Sequence, residues 1–255
     1  SMDSQIQGYR GVSTYNSVMN GSVTEFVNTC YPEFLYMDRN RYTFWPIAQD
    51  TFFASFMGVR YLISEKPDLD NMKYELIHQF GKVFLYKNVK ETDVARFYEN
   101  TVSEESLRKL CTGKKRKKNR ERILENYLVT EDGADISDLS ELTDILEEQK
   151  KSAVTLDAAE KDSHLTGSVS AQADGYVMCM IPWEKGWTVI VDGEKVQTQK
   201  GDLGFLAFQV DKGEHRLELT YQVPGLKAGM AAGAVCWCVY ISICFYQSRK
   251  KRRNL

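Results

Sequence analysis

The sequence predicts an α+β protein that carries one transmembrane helix, and three patterns support this fold class. The first hundred residues mix helical and strand signals. From Val154 onward, hydrophobic and polar residues alternate with the period of two that β-strands show. Residues 228–246 form an apolar run without a charged side chain. The patterns predict a mixed α/β N-terminal subdomain (1–100), a charged helical insert (101–152), an antiparallel β-sandwich of jelly-roll or Ig-like type (153–224), the transmembrane helix (225–247) and a basic tail (248–255).

The composition is that of an ordinary globular protein. Hydrophobic residues make up 43% and charged residues 27% of the 255 positions, which is enough to bury a core. The formal net charge of -2 argues against nucleic acid as the main partner. The six cysteines form no CxxC pair and no cluster with histidine, so we expect neither a zinc site nor a disulfide framework.

Local signals predict the elements of the N-terminal subdomain. Residues 22–25 match a capping box, which predicts that a helix starts there. A second helix is expected over residues 50–57, ended by Gly58 as its C-terminal cap. The segments that follow favour one strand and then a hairpin, over residues 59–63, 74–79 and 83–86.

The predicted insert is strongly charged, basic first and acidic later. Ser103 is placed to cap a helix, and a basic run follows over residues 113–122. Two further patterns have apolar residues at helical spacing, Ile123, Leu124, Tyr127 and Leu128 in one and Ile136, Leu139, Leu142, Ile145 and Leu146 in the other. The basic run either contacts anionic lipid headgroups or teichoic-type polymers, or it forms a solvated helix face, the commoner role of such runs.

Residues 153–224 show the signals of short antiparallel strands joined by regular turns. Strands are expected over residues 176–181, 187–191, 194–198, 205–210 and 215–221. Asp192 and Gly193, between two of these segments, suit the positive φ angles of a type I′ turn. Such a set of strands predicts the β-sandwich.

The apolar run near the C-terminus is long enough to cross a hydrocarbon core of ~30 Å at ~1.5 Å per residue. Basic residues follow it at positions 249–253. The positive-inside rule therefore predicts a cytoplasmic tail and an extracytoplasmic main domain. Gly225, Gly229 and Gly233 line one helix face. They either let another helix pack closely or are simply the small residues common in membrane helices.

The N-terminal residues lack a basic segment followed by an apolar one, so they do not resemble a signal peptide. Because an outward-facing domain needs an export signal, we expect upstream transmembrane helices in a longer protein. The alternative is a tail-anchored protein whose domain lies in the cytosol, an arrangement that the charge rule opposes.

The sequence offers no catalytic constellation. It lacks the GxSxG, HExxH, Walker and GxGxxG patterns, and its three histidines are widely spaced. Asp68 and Asp70 have the spacing of metal-binding carboxylates in some sugar-nucleotide enzymes, but a solvated turn is the favoured interpretation. We therefore predict no catalytic residue, metal or cofactor.

Aromatic residues provide the candidate sugar contacts. Trp183 and Trp187 flank a short segment ahead of the predicted hairpin. They either stack on sugar rings or fill the sandwich core, and general burial preferences favour the core. Tyr9, Arg10 and Tyr15 form a second polar and aromatic cluster, which either contacts a ligand or packs and caps locally.

An ordered set of segments carries a family resemblance. The segments lie at residues 8–17, 57–64, 83–88, 183–193, 204–206 and 213–221, followed by the apolar helix. Together they resemble the C-terminal region of the YfhO family of multi-span bacterial membrane proteins. The resemblance covers nearly the whole chain except the helical insert, which is expected to be specific to this protein.

The resemblance implies a role in the cell envelope. YfhO-family members resemble multi-span glycosyltransferases that use lipid-phosphate sugars and are implicated in glycosylating lipoteichoic acid. In such enzymes the catalytic carboxylates lie in an early extracytoplasmic loop that has no counterpart here, so this part is not expected to be catalytic by itself.

The resemblance also implies the partners of the chain. These are the lipid bilayer, the upstream transmembrane helices and either a cell-wall polymer acceptor or a polyprenyl-phosphate sugar donor, which the domain would position. The alternative is a structural or protein-interaction module of a membrane protein without glycosyl transfer.

Overall fold

A computed structural model describes residues 14–15, 21–32, 41–42, 50–67, 69, 73–90, 93–141, 152–157 and 163–253. Within them the protein is α+β, as predicted. The helices are α1 (Gly21–Cys30), α2 (Thr51–Phe56), α3 (Glu104–Leu110), α4 (Arg116–Asn126) and α5 (Leu226–Arg253), with 3₁₀ turns at Gly113–Lys115 and Leu139–Glu141. The strands are β1 (Thr14–Tyr15), β2 (Arg41–Tyr42), β3 (Tyr61–Ser64), β4 (Tyr74–Phe80), β5 (Val83–Asn88), β6 (Ala95–Tyr98), β7 (Thr101–Ser103), β8 (Leu128–Thr130), β9 (Ala153–Asp157), β10 (His164–Ala171), β11 (Gly175–Pro182), β12 (Trp187–Val191), β13 (Glu194–Val196), β14 (Thr198–Gly201), β15 (Phe205–Val210) and β16 (Gly213–Tyr221).

Helices begin at or near the three predicted places, and side-chain caps start two of them. The Asp50 carboxylate accepts a hydrogen bond from the Phe53 amide at 2.9 Å and starts α2, and Gly58, with φ of 67°, follows its end. Ser103 caps α3 by accepting from the Ser106 amide at 3.2 Å. The third prediction was wrong in its detail, because α1 begins at Gly21, so that residues 22–25 lie inside the helix and cannot cap it.

The predicted hairpin is confirmed as β4 and β5, which pair antiparallel from Tyr74 opposite Asn88 to Phe80 opposite Val83. Gly81 adopts a φ of 60° in the turn between them, which favours glycine. Strand β3 pairs with the other edge of β5, so that the three strands form a sheet in the order β3-β5-β4.

Residues 101–141 are not a purely helical insert. Strands β7 and β8 flank helices α3 and α4 and pair with each other in parallel. Leu107, Ile123 and Leu124 are fully buried among the same residues as Phe26 of α1. This region is therefore part of the protein core. Within the predicted further helix through Ile136 to Leu146, the described residues form a short 3₁₀ turn at Leu139–Glu141, and residues 142–151 lie outside the described part.

Two antiparallel sheets form the C-terminal part, in the orders β13-β12-β16-β10-β9 and β14-β15-β11-β6. Buried side chains from both sheets, such as Val189 and Leu217 from the first and Val177 and Phe208 from the second, belong to one cluster. The two sheets thus share a core, and the jelly-roll or Ig-like type of this arrangement stays a prediction. The turn at Asp192 and Gly193 has φ angles of 51° and 89°, as predicted for type I′.

The four-stranded sheet is buried on both faces. Along β15, Phe205 and Ala207 pack against the helices of the N-terminal half, whereas Leu206 and Phe208 pack against the five-stranded sheet. The ring of Phe205 lies 5.0 Å from that of Phe26 in an edge-to-face contact. Burial on both faces explains why β15 has a continuous apolar sequence instead of an alternating one.

Helix α5 continues from β16 and has the length and composition of a membrane span over Leu226–Tyr246. This segment is 21 residues long, and none of its most apolar window is buried inside the protein. A helix that is apolar on all sides needs lipid or other helices around it.

Candidate functional site

The candidate site is an aromatic cluster at the point where the five-stranded sheet meets α5. It consists of Trp183, Glu184, Trp187 and Tyr221, which we call the membrane-proximal cluster. Trp187 on β12 lies directly opposite Tyr221, the last residue of β16, and their ring centroids are 5.1 Å apart. The pair is tilted by 50°, a geometry in which aromatic rings attract each other.

The carboxylate of Glu184 joins the aromatic pair. The Tyr221 hydroxyl donates a hydrogen bond to Glu184 Oε2, and this bond raises the pKa of Tyr221. An ionised carboxylate accepts hydrogen bonds through both of its oxygens. The cluster thus presents two aromatic rings beside a carboxylate.

A glycine allows the loop before β12 to fit beneath Tyr221. The Gly186 carbonyl accepts a hydrogen bond from the Gln222 amide at 3.0 Å. A Cβ atom at position 186 would lie 2.4 Å from the Gln222 carbonyl oxygen and 2.5 Å from the Tyr221 ring. Real side chains do not approach so closely, so residue 186 must be glycine for the cluster to keep this shape.

Trp183 and Trp187 are both half-buried and pack against the core that the two sheets share. Of the two alternatives for these residues, core packing therefore accounts for the buried part of each side chain, and a ligand contact stays a prediction. The indole nitrogen of Trp183 is buried without a hydrogen-bonding partner in the described part of the chain. Trp187, paired with Tyr221, is the stronger candidate for contact with a ligand.

The cluster lies close in sequence to the membrane-type helix. Tyr221 precedes Leu226, the first residue of α5, by a linker that includes Gly225 with a φ of 79°. At ~3.6 Å per residue, this linker holds the Tyr221 Cα atom within about 18 Å of α5. If α5 spans a bilayer, the cluster is within reach of the headgroup layer.

The other predicted site residues divide into three groups. Gly225, Gly229 and Gly233 lie at or near the start of α5, and an added Cβ atom would meet no other atom within 4 Å, so helix packing stays a prediction. Tyr15 belongs to β1, which pairs with β2, but its side chain is not described. The remaining predicted residues lie outside the described part: Tyr9, Arg10, Asp68 and Asp70.

Arg120 is a charged residue whose role sequence reasoning missed. Its guanidinium is fully buried, donates to the Cys30 carbonyl at 2.5 Å and to Asp50 at 3.2 Å, and lies 3.7 Å from the centre of the Tyr31 ring. These partners join α4 to the ends of α1 and α2. The available signal was spacing, because Arg120 precedes Ile123 and Leu124 by three and four residues and shares their helix face.

Metal binding finds no support in the described residues, where no group of three or more His, Cys, Asp or Glu side chains is placed to hold an ion. The described thiols of Cys30, Cys111 and Cys179 are buried, and burial raises the pKa of each above its ordinary value. A raised pKa disfavours the reactive thiolate, so these three buried cysteines have the character of structural residues.

The profile of the family described as "Bacterial membrane protein YfhO" matches residues 2–136 and 134–232. The chain belongs to the YfhO family. The matched ranges include residues 101–152, so the prediction that this region is specific to the present protein was wrong. Membership agrees with the exposed apolar helix α5 and identifies the chain as part of a bacterial membrane protein.

A relative from Bacillus subtilis (strain 168), named "Uncharacterized protein YfhO", is 35% identical over 89 residues. The match covers 35% of the present chain and 10% of the relative. The chain therefore corresponds to a small part of that protein. No solved structure matches the chain.

Proposed function

We propose that this chain is an accessory, membrane-proximal domain of a glycosyltransferase-like YfhO protein. In this role it positions a sugar-bearing substrate, either a cell-wall polymer acceptor such as lipoteichoic acid or a polyprenyl-phosphate sugar donor. The observation that carries the proposal is the pair of Trp187 and Tyr221 with Glu184, at the base of α5.

The chemistry of the cluster suits a sugar. The C–H face of a pyranose ring is apolar and packs on an aromatic ring, while its hydroxyl groups donate hydrogen bonds to a carboxylate. Trp187 and Tyr221 provide the rings, and Glu184 provides the acceptor. The half-buried ring of Trp187 packs against the core, so little conformational entropy is lost when it binds a ligand.

The position of the cluster suits a substrate at a membrane surface. A polyprenyl-phosphate sugar keeps its lipid in the bilayer and its sugar at the headgroup layer, the level that the linker before α5 allows the cluster to reach. The proposal takes the main domain as extracytoplasmic, because the basic residues at 249–253 follow the membrane helix. Glu184 is assigned a binding role and no residue of the chain a catalytic one.

Binding by the chain in lipid nanodiscs tests this proposal. The probe is a short-chain polyprenyl phosphoglucose, compared with the same polyprenyl phosphate without sugar, and the readout is calorimetric titration. We expect the chain to bind the sugar lipid more tightly than the sugarless lipid. Trp187→Leu should lower the affinity for the sugar lipid about tenfold, the effect of losing one aromatic contact. Trp237→Leu, which removes an exposed tryptophan of α5, is the matched control and should have no effect.

Two results would contradict the proposal. One is equal affinity for the sugar lipid and the sugarless lipid, and the other is unchanged sugar binding by Trp187→Leu. A purified lipoteichoic acid should be titrated in the same way, because the acceptor and the donor are separate candidates. Failure with the donor and the acceptor alike would favour the alternative of a structural or protein-interaction module.

A further inference from the structure

The sheet β3-β5-β4 has an uncovered apolar surface. Outside α5, the described residues have seven exposed large apolar side chains. Six of them lie in this sheet or directly after it: Tyr61, Ile63, Leu76, Ile77, Phe80 and Val89. The seventh, Val223, precedes α5. Ile63 and Phe80 are each 63% exposed. Such a concentration of exposed apolar area marks an interaction surface.

The strand register brings three of these side chains, Tyr61, Ile63 and Phe80, onto one face, whereas Leu76 lies opposite Tyr86 on the other face. Ile63 of β3 lies opposite Leu85 of β5, which lies opposite His78 of β4. Phe80 lies opposite Val83 on the same face, and its ring contacts that of His78 with centroids 4.2 Å apart. We call this surface, with Tyr61, the hairpin face. It lies on the side of the sheet opposite to Tyr86, which is fully buried in the protein core.

The hairpin has a further exposed apolar side chain, Ile77, outside the hairpin face. The register shifts between Leu76 and His78, so that Ile77 is an extra residue in β4, and it is 47% exposed. From Glu75 to Phe80 every residue of β4 is exposed, although the strand is paired along its length with β5. The hairpin therefore projects from the core with apolar side chains at its tip.

Positive charge surrounds this apolar surface. Residues 60–90 contain six Lys or Arg and four Asp or Glu residues, a net charge of +2. Arg60 pairs with Asp93 at 3.3 Å and Lys90 with Glu125 at 3.0 Å. Lys82 lies in the turn itself, next to Gly81. A surface that combines exposed apolar groups with cations is complementary to a bilayer of anionic lipids, which attracts each nearby lysine.

We propose that the hairpin face docks on an anionic lipid surface. Phe80 at the tip and Ile77 in the bulge enter the headgroup region, while Lys82 in the turn contacts lipid phosphates. The same chain carries the exposed membrane-type helix α5, so a bilayer is close to the domain at a high effective concentration. A lipid surface accepts apolar side chains without a shaped groove. The positive charge also disfavours a second copy of the hairpin, because like charges would face each other.

Photo-cross-linking in nanodiscs tests the occupant of the surface. A benzophenone amino acid replaces Phe80 in the full chain, and a second sample carries it at Lys195, an exposed residue of the β12–β13 hairpin that serves as the control position. Nanodiscs of phosphatidylcholine alone are compared with nanodiscs that also contain phosphatidylglycerol. After illumination, mass spectrometry identifies the cross-linked molecule, and thermal unfolding confirms that each variant is folded.

We expect lipid adducts at position 80, in clear excess over position 195, and more of them in the anionic nanodiscs. Lys82→Glu should lower the adduct yield in anionic nanodiscs by about fivefold or more, the effect of replacing one cation near the surface with an anion. Covalent dimers at position 80 would show that a second copy occupies the surface and would overturn the proposal. Lipid adducts no more frequent at position 80 than at 195 would overturn it as well.

Discussion

Asp202 and Val129 hold each other through two hydrogen bonds that run in opposite directions. The Asp202 amide donates to the Val129 carbonyl, and the Val129 amide donates to Asp202 Oδ1, each at 2.8 Å. These bonds tie the turn between β14 and β15 to β8. The side chain of Asp202 is fully buried, and its Oδ2 atom has no hydrogen-bonding partner in the described part of the chain. Burial raises the pKa of this carboxyl to about 7.

The raised pKa of Asp202 makes stability depend on pH. The folded state keeps the proton up to about pH 7, whereas the unfolded chain releases it near the ordinary value of 3.8. Because the folded state binds more protons in this window, the free energy of unfolding should fall as pH rises from about 4 to 7, by up to about 4 kcal/mol. Chemical denaturation of the chain in detergent at a series of pH values measures this slope.

Asp202→Asn provides the control for that measurement. Asparagine keeps the acceptor for the Val129 amide, tolerates the φ of 47° at this position and does not ionise. The variant should lose most of the pH dependence between 4 and 7. An unchanged slope in this variant would show that another group is responsible.

Replacing Arg120 should destabilise the fold strongly. Arg120→Met keeps much of the side-chain volume but leaves Asp50 buried without its guanidinium partner and removes the cation from the Tyr31 ring. Breaking a buried ion pair in this way costs about 3–5 kcal/mol. Lys118→Met, on the exposed side of the same helix, should change the free energy of unfolding by less than about 0.5 kcal/mol. Equal effects of the two substitutions would contradict the role assigned to Arg120.

Sequence analysis predicted well the features that depend on interactions between neighbouring residues. The Asp192-Gly193 turn, the helix ended by Gly58 and the hairpin of β4 and β5 each depend on a few adjacent residues. The apolar run from Phe205 was recognised as a strand, but its burial on both faces depends on the helices that cover it.

Contacts between distant residues determined what sequence analysis missed. Strands β7 and β8 have three residues each, too few to show a period, and they pair only because α3 and α4 bring them together. Ser22 resembled a cap, but its hydroxyl donates to the Trp183 carbonyl at 3.4 Å, across 161 positions of sequence. In the candidate site, the two tryptophans were visible from sequence, whereas the contribution of Tyr221 and Glu184 came from the pairing of β12 with β16.

Gly186→Ala should disturb the membrane-proximal cluster. The added methyl group would collide with the Gln222 carbonyl and the Tyr221 ring, so the loop or the ring must move. We expect a loss of stability of about 1–3 kcal/mol, as for other overpacked sites. The near-ultraviolet circular dichroism of the Trp187–Tyr221 pair should change as well. Gly21→Ala is the matched control, because a methyl group there meets nothing within 4 Å and should be neutral or slightly stabilising.

His215 should contribute a second pH dependence, in a different window. Its hydrogen bond with Asp192, at 2.7 Å, raises the pKa of the imidazole above the ordinary value of 6.5. The stabilisation is complete below about pH 6.5 and is lost as pH rises through the folded-state pKa. Comparing denaturation of His215→Gln with that of the unmodified chain from pH 5 to 9 should show this loss in the unmodified chain alone. A parallel pH profile in both proteins would contradict it.

The orientation of the chain across the membrane decides whether the main domain can contact extracytoplasmic sugars. Lys195→Cys, in the sheet domain, and Arg249→Cys, beyond the apolar helix, are introduced one at a time at the native locus after the native cysteines have been replaced by serine. Each variant is then labelled with a membrane-impermeant maleimide in bacterial cells. We expect Lys195→Cys to react in intact cells and Arg249→Cys to react only after lysis, because the positive-inside rule places the basic tail in the cytoplasm. The reverse pattern would place the domain in the cytosol and contradict a role in positioning extracytoplasmic sugars.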